Sequence, residues 1–199
     1  MLTREQIVGI YNGSINNWSD PTFAEHNPDV DLPNATIVPV ARYEPSGSTE
    51  IFTRSLSSFS EAWADQYGTF DTPTGWNASA VKTFVQRMSE MAFMIRRQPY
   101  HVGYMTAESA VEADIPFASI VNKRGRVTIG NKKSVLAAME ERLYNMTPRL
   151  TSNLIDCEGD KTYPIAAYSY FVVHMKQFGN CSAAAAVKRS RTEQPCIVR

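Results

Sequence analysis

The sequence predicts an α/β fold, a mixed β-sheet flanked by helices. Short β-rich runs, such as residues 36–40 and 102–105, alternate along the chain with stretches of helical apolar spacing. Between residues 37 and 56 a strand-like run, a small-residue turn and a helical pattern follow one another directly. The length of 199 residues, 43% of them hydrophobic, suits one medium domain or one lobe of a two-lobed protein.

The chain opens on a helix. Thr3 and Gln6 form a capping-box pair, Ile7, Val8, Ile10 and Tyr11 make an apolar face, and Gly13 offers the stop. A loop follows through Asn17-Trp18, Asp20-Pro21, Asn27-Pro28 and Leu32-Pro33. Residues 36–40 then read as a strand, with Pro39 expected at a strand end or a sheet edge because it lacks an N–H. Residues 42–49 form a turn that opens onto a helix beginning at Glu50. Residues 68–77 read as loop. From Ser79 an apolar stripe through Val81, Phe84, Val85, Met88, Met91, Ala92 and Ile95 fits one helix face, with a break near Ser89. Pro99 ends it, residues 102–105 form a short strand, and Thr106 caps a helix to about Ala113. Residues 119–122 and 126–129 flank Lys123-Arg124-Gly125 as a hairpin, and Ser134 begins a further helix. Residues 165–174 read as a long strand, followed by a helix from about Ser182.

Composition narrows the function. Twenty Lys+Arg balance twenty Asp+Glu, with no long block of like charge, which argues against a nucleic-acid or membrane-surface partner. The longest apolar stretch, residues 163–175, is too short and mixed to span a bilayer. Met1-Leu2 is followed by polar Thr3, Arg4, Glu5 and Gln6, so no signal peptide is read. Six of the eleven asparagines nevertheless sit in Asn-x-Ser/Thr sequons: Asn12, Asn17, Asn34, Asn77, Asn145 and Asn180. About two would arise by chance from the Ser and Thr content, so glycosylation and an exported context are expected. Cys157, Cys181 and Cys196 follow no zinc-ligand pattern. Cys157 and Cys181 flank the 165–174 run and are the candidate disulfide; Cys181 with Cys196 is the competing pair.

Enzyme readings find little support. His26, His101 and His174 are isolated, and no carboxylate recurs at metal-ligand spacing, so neither a metal nor another cofactor is expected. Ser46-Gly47-Ser48 is not a nucleophile elbow, and nothing nominates a base for it. The same segment is better suited to holding an anion. A helix N-terminus presents unpaired N–H groups and the positive end of the helix dipole. Ser46 and Ser48 add hydroxyls, Gly47 removes a blocking side chain, and Arg42 supplies a forked cation. Glu44 is placed to hold that guanidinium or to accept a proton from the ligand. An ordinary Ser-rich helix cap is the plainer reading of the same pattern.

Several blocks in order resemble the phosphate-binding proteins that feed phosphate-specific ABC transporters, a family of type II periplasmic binding proteins. Residues 2–7 with Tyr11-Asn12-Gly13-Ser14-Ile15 are similar to the family's "LT…I(F/Y)xGxIxxW", and Asn17-Trp18-Ser19-Asp20-Pro21 continues the match. Arg42 to Thr49 resembles "RxDGSGTT", with Glu44 for Asp, Pro45 for Gly and Ser48 for Thr. Gln98-Pro99 with Val102-Gly103-Tyr104 is similar to "PGxIGY", and Asn122, Gly125 and Tyr163-Pro164-Ile165 match later blocks. The resemblance implies a type II periplasmic-binding-protein-like lobe that binds phosphate without catalysis. Its ligand residues carry over to Arg42, Ser46, Gly47, Ser48 and Thr49, with Glu44 at the acidic position. It further implies that residues 1–165 are the second lobe and that residues 166–199 hold a return crossover strand, a short helix and a basic tail. The expected partners are inorganic phosphate or another small oxyanion, and a missing first lobe or a larger extracellular or receptor assembly. The expected place is extracellular or cell-surface, reached by the secretory pathway, or periplasmic in a bacterium. The alternative is an extracellular sensor or interaction module with a degenerate ligand site.

Overall fold

A computed structural model describes residues 1–147 and 151–170. Helix α1 (Arg4–Asn12) forms as the capping box requires: the Gln6 N–H donates to Thr3 Oγ1 at 3.1 Å, and the Thr3 N–H donates to Gln6 Oε1 at 2.8 Å. It ends at Gly13, whose φ of +86° lies in the left-handed region, and a Cβ there would meet the Ala80 Cβ at 3.1 Å. Gly13→Ala is therefore expected to cost about 1–2 kcal/mol, seen as a lower urea midpoint at unchanged slope.

The segment read as loop after α1 contains helix α2 (Pro21–His26). Asp20 caps it by accepting from the Thr22 N–H, Pro21 takes the first turn, and Phe23 is buried. Strand β1 (Val38–Arg42) then leads through the turn into helix α3 (Gly47–Phe59), which starts three residues earlier than Glu50. A second short helix, α4 (Glu61–Gln66), follows on the Ser60 cap and buries Trp63.

The apolar stripe from Ser79 to Ile95 is not one helix. Its first part is strand β2 (Thr83–Val85), where Phe84 faces out and Val85 is buried, and its second is helix α5 (Met88–Arg97). The break falls at Gln86-Arg87 rather than Ser89. Strand pairing decides it: Val40, Ala41 and Arg42 align with Thr83, Phe84 and Val85. Strand β3 (His101–Val102) pairs on the other side of β1, giving a parallel sheet in the order β2-β1-β3. Pro39 thus lies in the central strand, not at an edge. The Val38 N–H donates to the Tyr100 carbonyl on the β3 side, so the nitrogen of Pro39 points toward β2, whose pairing starts only at Val40. No ladder hydrogen bond is lost.

Thr106 caps α6 (Ala107–Glu112) as the sequence predicts. Strands β4 (Ile120–Val121) and β5 (Val127–Thr128) form the expected antiparallel hairpin, so the parallel and antiparallel pairs belong to two separate sheets. Leu2 ties the hairpin to the start of α1: its N–H donates to the Ser119 carbonyl, and its carbonyl accepts from the Val121 N–H, both at 2.9 Å. Helix α7 (Lys132–Arg142) begins at the Asn131 cap, leaving Ser134 at the third helical position. Of the strand read at 165–174, the described part up to Tyr170 has no strand pairing; the remainder, and the helix from Ser182, lie outside the described residues.

The main core packs α1 and α4 on α3, with α5 against all three strands of the β2-β1-β3 sheet. Its aromatic centre is Tyr11, Phe52, Trp76 and Tyr104, with Tyr11 edge-on to Phe52 at 4.8 Å and Phe52 stacked on Tyr104 at 4.6 Å. A smaller cluster of Ala138, Leu154, Cys157 and Ala166 lies under α7. Among the described residues no helix is long and apolar enough to cross a membrane.

Candidate functional site

The end of β1 and the start of α3 place the sequence-predicted residues together at one end of the sheet. Arg42 is the last residue of β1, Ser46 is the N-cap of α3, and Gly47, Ser48 and Thr49 form its first turn. The turn is anchored by the Ser46 N–H, which donates to the Asp71 carbonyl at 3.0 Å. Serine at this position ordinarily turns its hydroxyl onto the helix amides. Ser46 does not: its Oγ makes no cap bond and accepts instead from Arg42 Nη1 at 3.4 Å. The amides of Gly47, Ser48 and Thr49 are left with no hydrogen-bond acceptor among the described residues.

The space in front of them is open. A Cβ on Gly47 would meet nothing within 4 Å, and Tyr43, Glu44 and Pro45 are exposed. Arg42 Nε is buried and has no hydrogen-bond partner among the described residues. The expected clamp by Glu44 is absent: its carboxylate makes no ion pair with Arg42, whose guanidinium is steadied by Ser46. Glu50, the acidic residue in the first turn of α3, is paired with Arg54 one turn on. The arrangement offers a forked cation, two hydroxyls and three amides at the positive end of a helix, a donor set matched to a tetrahedral oxyanion.

Thr49 stands apart from its neighbours. It is fully buried, and its Oγ1 lies 2.6 Å from the Tyr104 hydroxyl. The Tyr104 hydroxyl also accepts from the Arg42 N–H at 3.1 Å. Burial pushes the Tyr104 pKa up, opposed by its hydrogen bonds to Thr49 and Arg42 and by the Arg42 charge. The sequence holds Tyr104 only as part of a block after Pro99, with no sign that its hydroxyl reaches the loop at Arg42.

A cavity of about 850 Å³ lies elsewhere. It runs along the free edge of β3, and its walls are mostly apolar, with Leu2, Ile7, Phe52, Val102 and Ile120 among them. Ser48 is the single residue it shares with the Arg42 turn. Such walls do not suit a small anion.

Of the sequon asparagines, Asn34 and Asn145 are exposed. Asn12, Asn17 and Asn77 are half-buried, with Asn17 Nδ2 donating to Asn34 Oδ1 at 2.9 Å and Asn77 Nδ2 to the Asn12 carbonyl at 2.8 Å. Asn180 lies outside the described residues. Cys157 is buried with a free thiol beside Arg142 Nε at 3.4 Å; Cys181, its candidate disulfide partner, lies outside the described residues.

Residues 1–188 match the family model of the PBP superfamily domain. A phosphate-binding protein, PstS, of Methanocaldococcus jannaschii is 30% identical over 182 residues, covering 86% of this chain and 46% of that protein. A candidate serine/threonine-protein kinase/receptor of Acanthamoeba polyphaga mimivirus is 25% identical over 195 residues, 94% of this chain but 11% of its own length. Among solved structures, a DING protein aligns at a TM-score of 0.58 with 17% identity, covering 96% of this chain and 57% of that one, a likeness of fold. The chain spans about half the length of the curated phosphate-binding relatives it matches.

Proposed function

The chain belongs to the PBP superfamily, and from that premise we propose that it is a non-catalytic solute-binding lobe that takes inorganic phosphate or another small tetrahedral oxyanion at the start of α3. One observation carries this reading: the natural cap of α3, the Ser46 hydroxyl, is turned away to Arg42, leaving the first-turn amides free beside a cation. Arg42, Ser46, Gly47 and Ser48 supply the donors, Thr49 contributes its amide, and Glu44 stands at the rim. The name of the Methanocaldococcus relative supports phosphate as the anion. A partner lobe closing over the open side completes the site in this reading.

A second reading is favoured by the mimivirus relative, in which a segment like this one is a small part of a long kinase/receptor chain. There the lobe serves as a sensor or interaction module within a larger receptor assembly. Both readings place it outside the cytoplasm, at the cell surface or in the periplasm, with Asn34 and Asn145 as the sequons best exposed for glycans.

Titration of the ¹⁵N-labelled chain with phosphate and with sulfate separates the two. The oxyanion reading expects amide shifts confined to Ser46, Gly47, Ser48 and Thr49, with a Kd of about 1 mM, because water occupies the uncovered side. The shifts weaken as salt rises. Silence at these amides in tens of millimolar phosphate makes the receptor-module reading the first one.

A further inference from the structure

We propose that Tyr104 is a positioning residue of this oxyanion site, an inference that rests on the reading above. Its hydroxyl joins the two elements that carry the donors. It accepts from the backbone N–H of Arg42, the last residue of β1, and shares a 2.6 Å hydrogen bond with Thr49 in the first turn of α3. Its ring grips the same helix, stacked on Phe52 at an interplanar angle of 14°. Tyr104 is 8% exposed and Thr49 is 0% exposed, so water does not stand in for either hydroxyl.

The approach of this tyrosine is itself built. A Cβ on the preceding residue, Gly103, would come within 2.9 Å of Met91 Sδ and 3.0 Å of Ile95 Cδ1. The glycine lets the chain after β3 lie against α5 and deliver the phenol to the junction behind the ligand face. The spacing between the Arg42 guanidinium and the α3 amides is set from this buried side, by groups that never touch the anion.

The test uses the 199-residue chain with Tyr104→Phe, Thr49→Val, the double variant and Thr49→Ser, each measured for phosphate affinity and urea stability. Tyr104→Phe and Thr49→Val are each expected to weaken phosphate roughly five- to tenfold. The double variant should be no weaker than the worse single one, because both cut the same link. Thr49→Ser keeps the hydroxyl and should keep the affinity. The free-state amide shifts of Gly47 and Ser48 should also move in Tyr104→Phe. Loss of stability with phosphate affinity within about twofold of wild type would overturn the proposal and leave the hydroxyl a purely structural bond. Absence of binding by the wild-type chain overturns the oxyanion reading, and this one with it. If Tyr104→Phe does not fold, the contrast between Thr49→Val and Thr49→Ser decides.

Discussion

Arg42→Ala is expected to weaken phosphate binding roughly 10- to 100-fold, beyond the range in which an isolated lobe responds at all. The guanidinium is the only full positive charge within residues 42–49, and charge-assisted hydrogen bonds contribute about 1.5–3 kcal/mol each. Ser46 would lose the donor that holds its hydroxyl at 3.4 Å and become free to swing back onto the helix amides. The variant then converts the site into an ordinary capped helix. Arg42→Lys retains charge without the planar fork and should fall between the two. Loss of the Ser46–Thr49 shifts in a phosphate titration, with the urea midpoint little changed, is the result that checks this. A variant that titrates like wild type would place the anion elsewhere.

The largest effect on stability is expected from Asp156→Ala, about 3 kcal/mol. Asp156 is 4% exposed, and its two carboxylate oxygens accept from Arg4 Nη1 at 2.9 and 2.7 Å. Ser58 Oγ donates to the same carboxylate at 3.3 Å, and the Arg4 guanidinium lies 5.7 Å over the Phe59 ring. One carboxylate thereby joins the first turn of α1, the last turn of α3 and the segment after Leu154. Removing it strands a mostly buried cation, which costs more than the pair contributes. Arg4→Met combined with Asp156→Ala should recover part of the loss, since no charge is then left unpaired. Urea denaturation of the single and double variants measures it; a single-variant loss below about 1 kcal/mol would mean that the pair behaves as if solvated.

What the sequence made legible was local. Thr3 with Gln6, and Thr106 ahead of its helix, are local signals, and the structure uses both threonines as the caps the sequence predicts. Asp20-Pro21 carried an equally local signal for α2, hidden among other prolines. The stripe after Ser79 misled for a different reason. Val81, Val85 and Met91 are all buried, and four- and six-residue intervals satisfy a helix face as well as a strand followed by a helix. Thr83 becomes strand because it aligns with Val40, a partner 43 positions earlier in the chain. The site divides along the same line. Arg42 and Ser46, four residues apart, were readable as a candidate anion-binding turn, and the structure brings the two side chains together. The roles of Tyr104 and Thr49 were not, since that hydroxyl reaches partners 62 and 55 residues away.

The proline in the middle strand has a consequence for where the guanidinium ends up. A one-residue slip between β1 and β2 would turn every side chain to the wrong face, and burial already forbids it. A two-residue slip preserves the faces, so burial alone does not prevent it. If β2 slid toward the beginning of β1, it would have to draw a hydrogen bond from Pro39, which has none to give. The missing donor works as a stop on a ruler: pairing begins at Val40, Arg42 falls opposite Val85, and Tyr43 closes the ladder through its N–H to the Val85 carbonyl at 2.8 Å. The cation is thus indexed to the mouth of the sheet by a residue three places before it in the same strand.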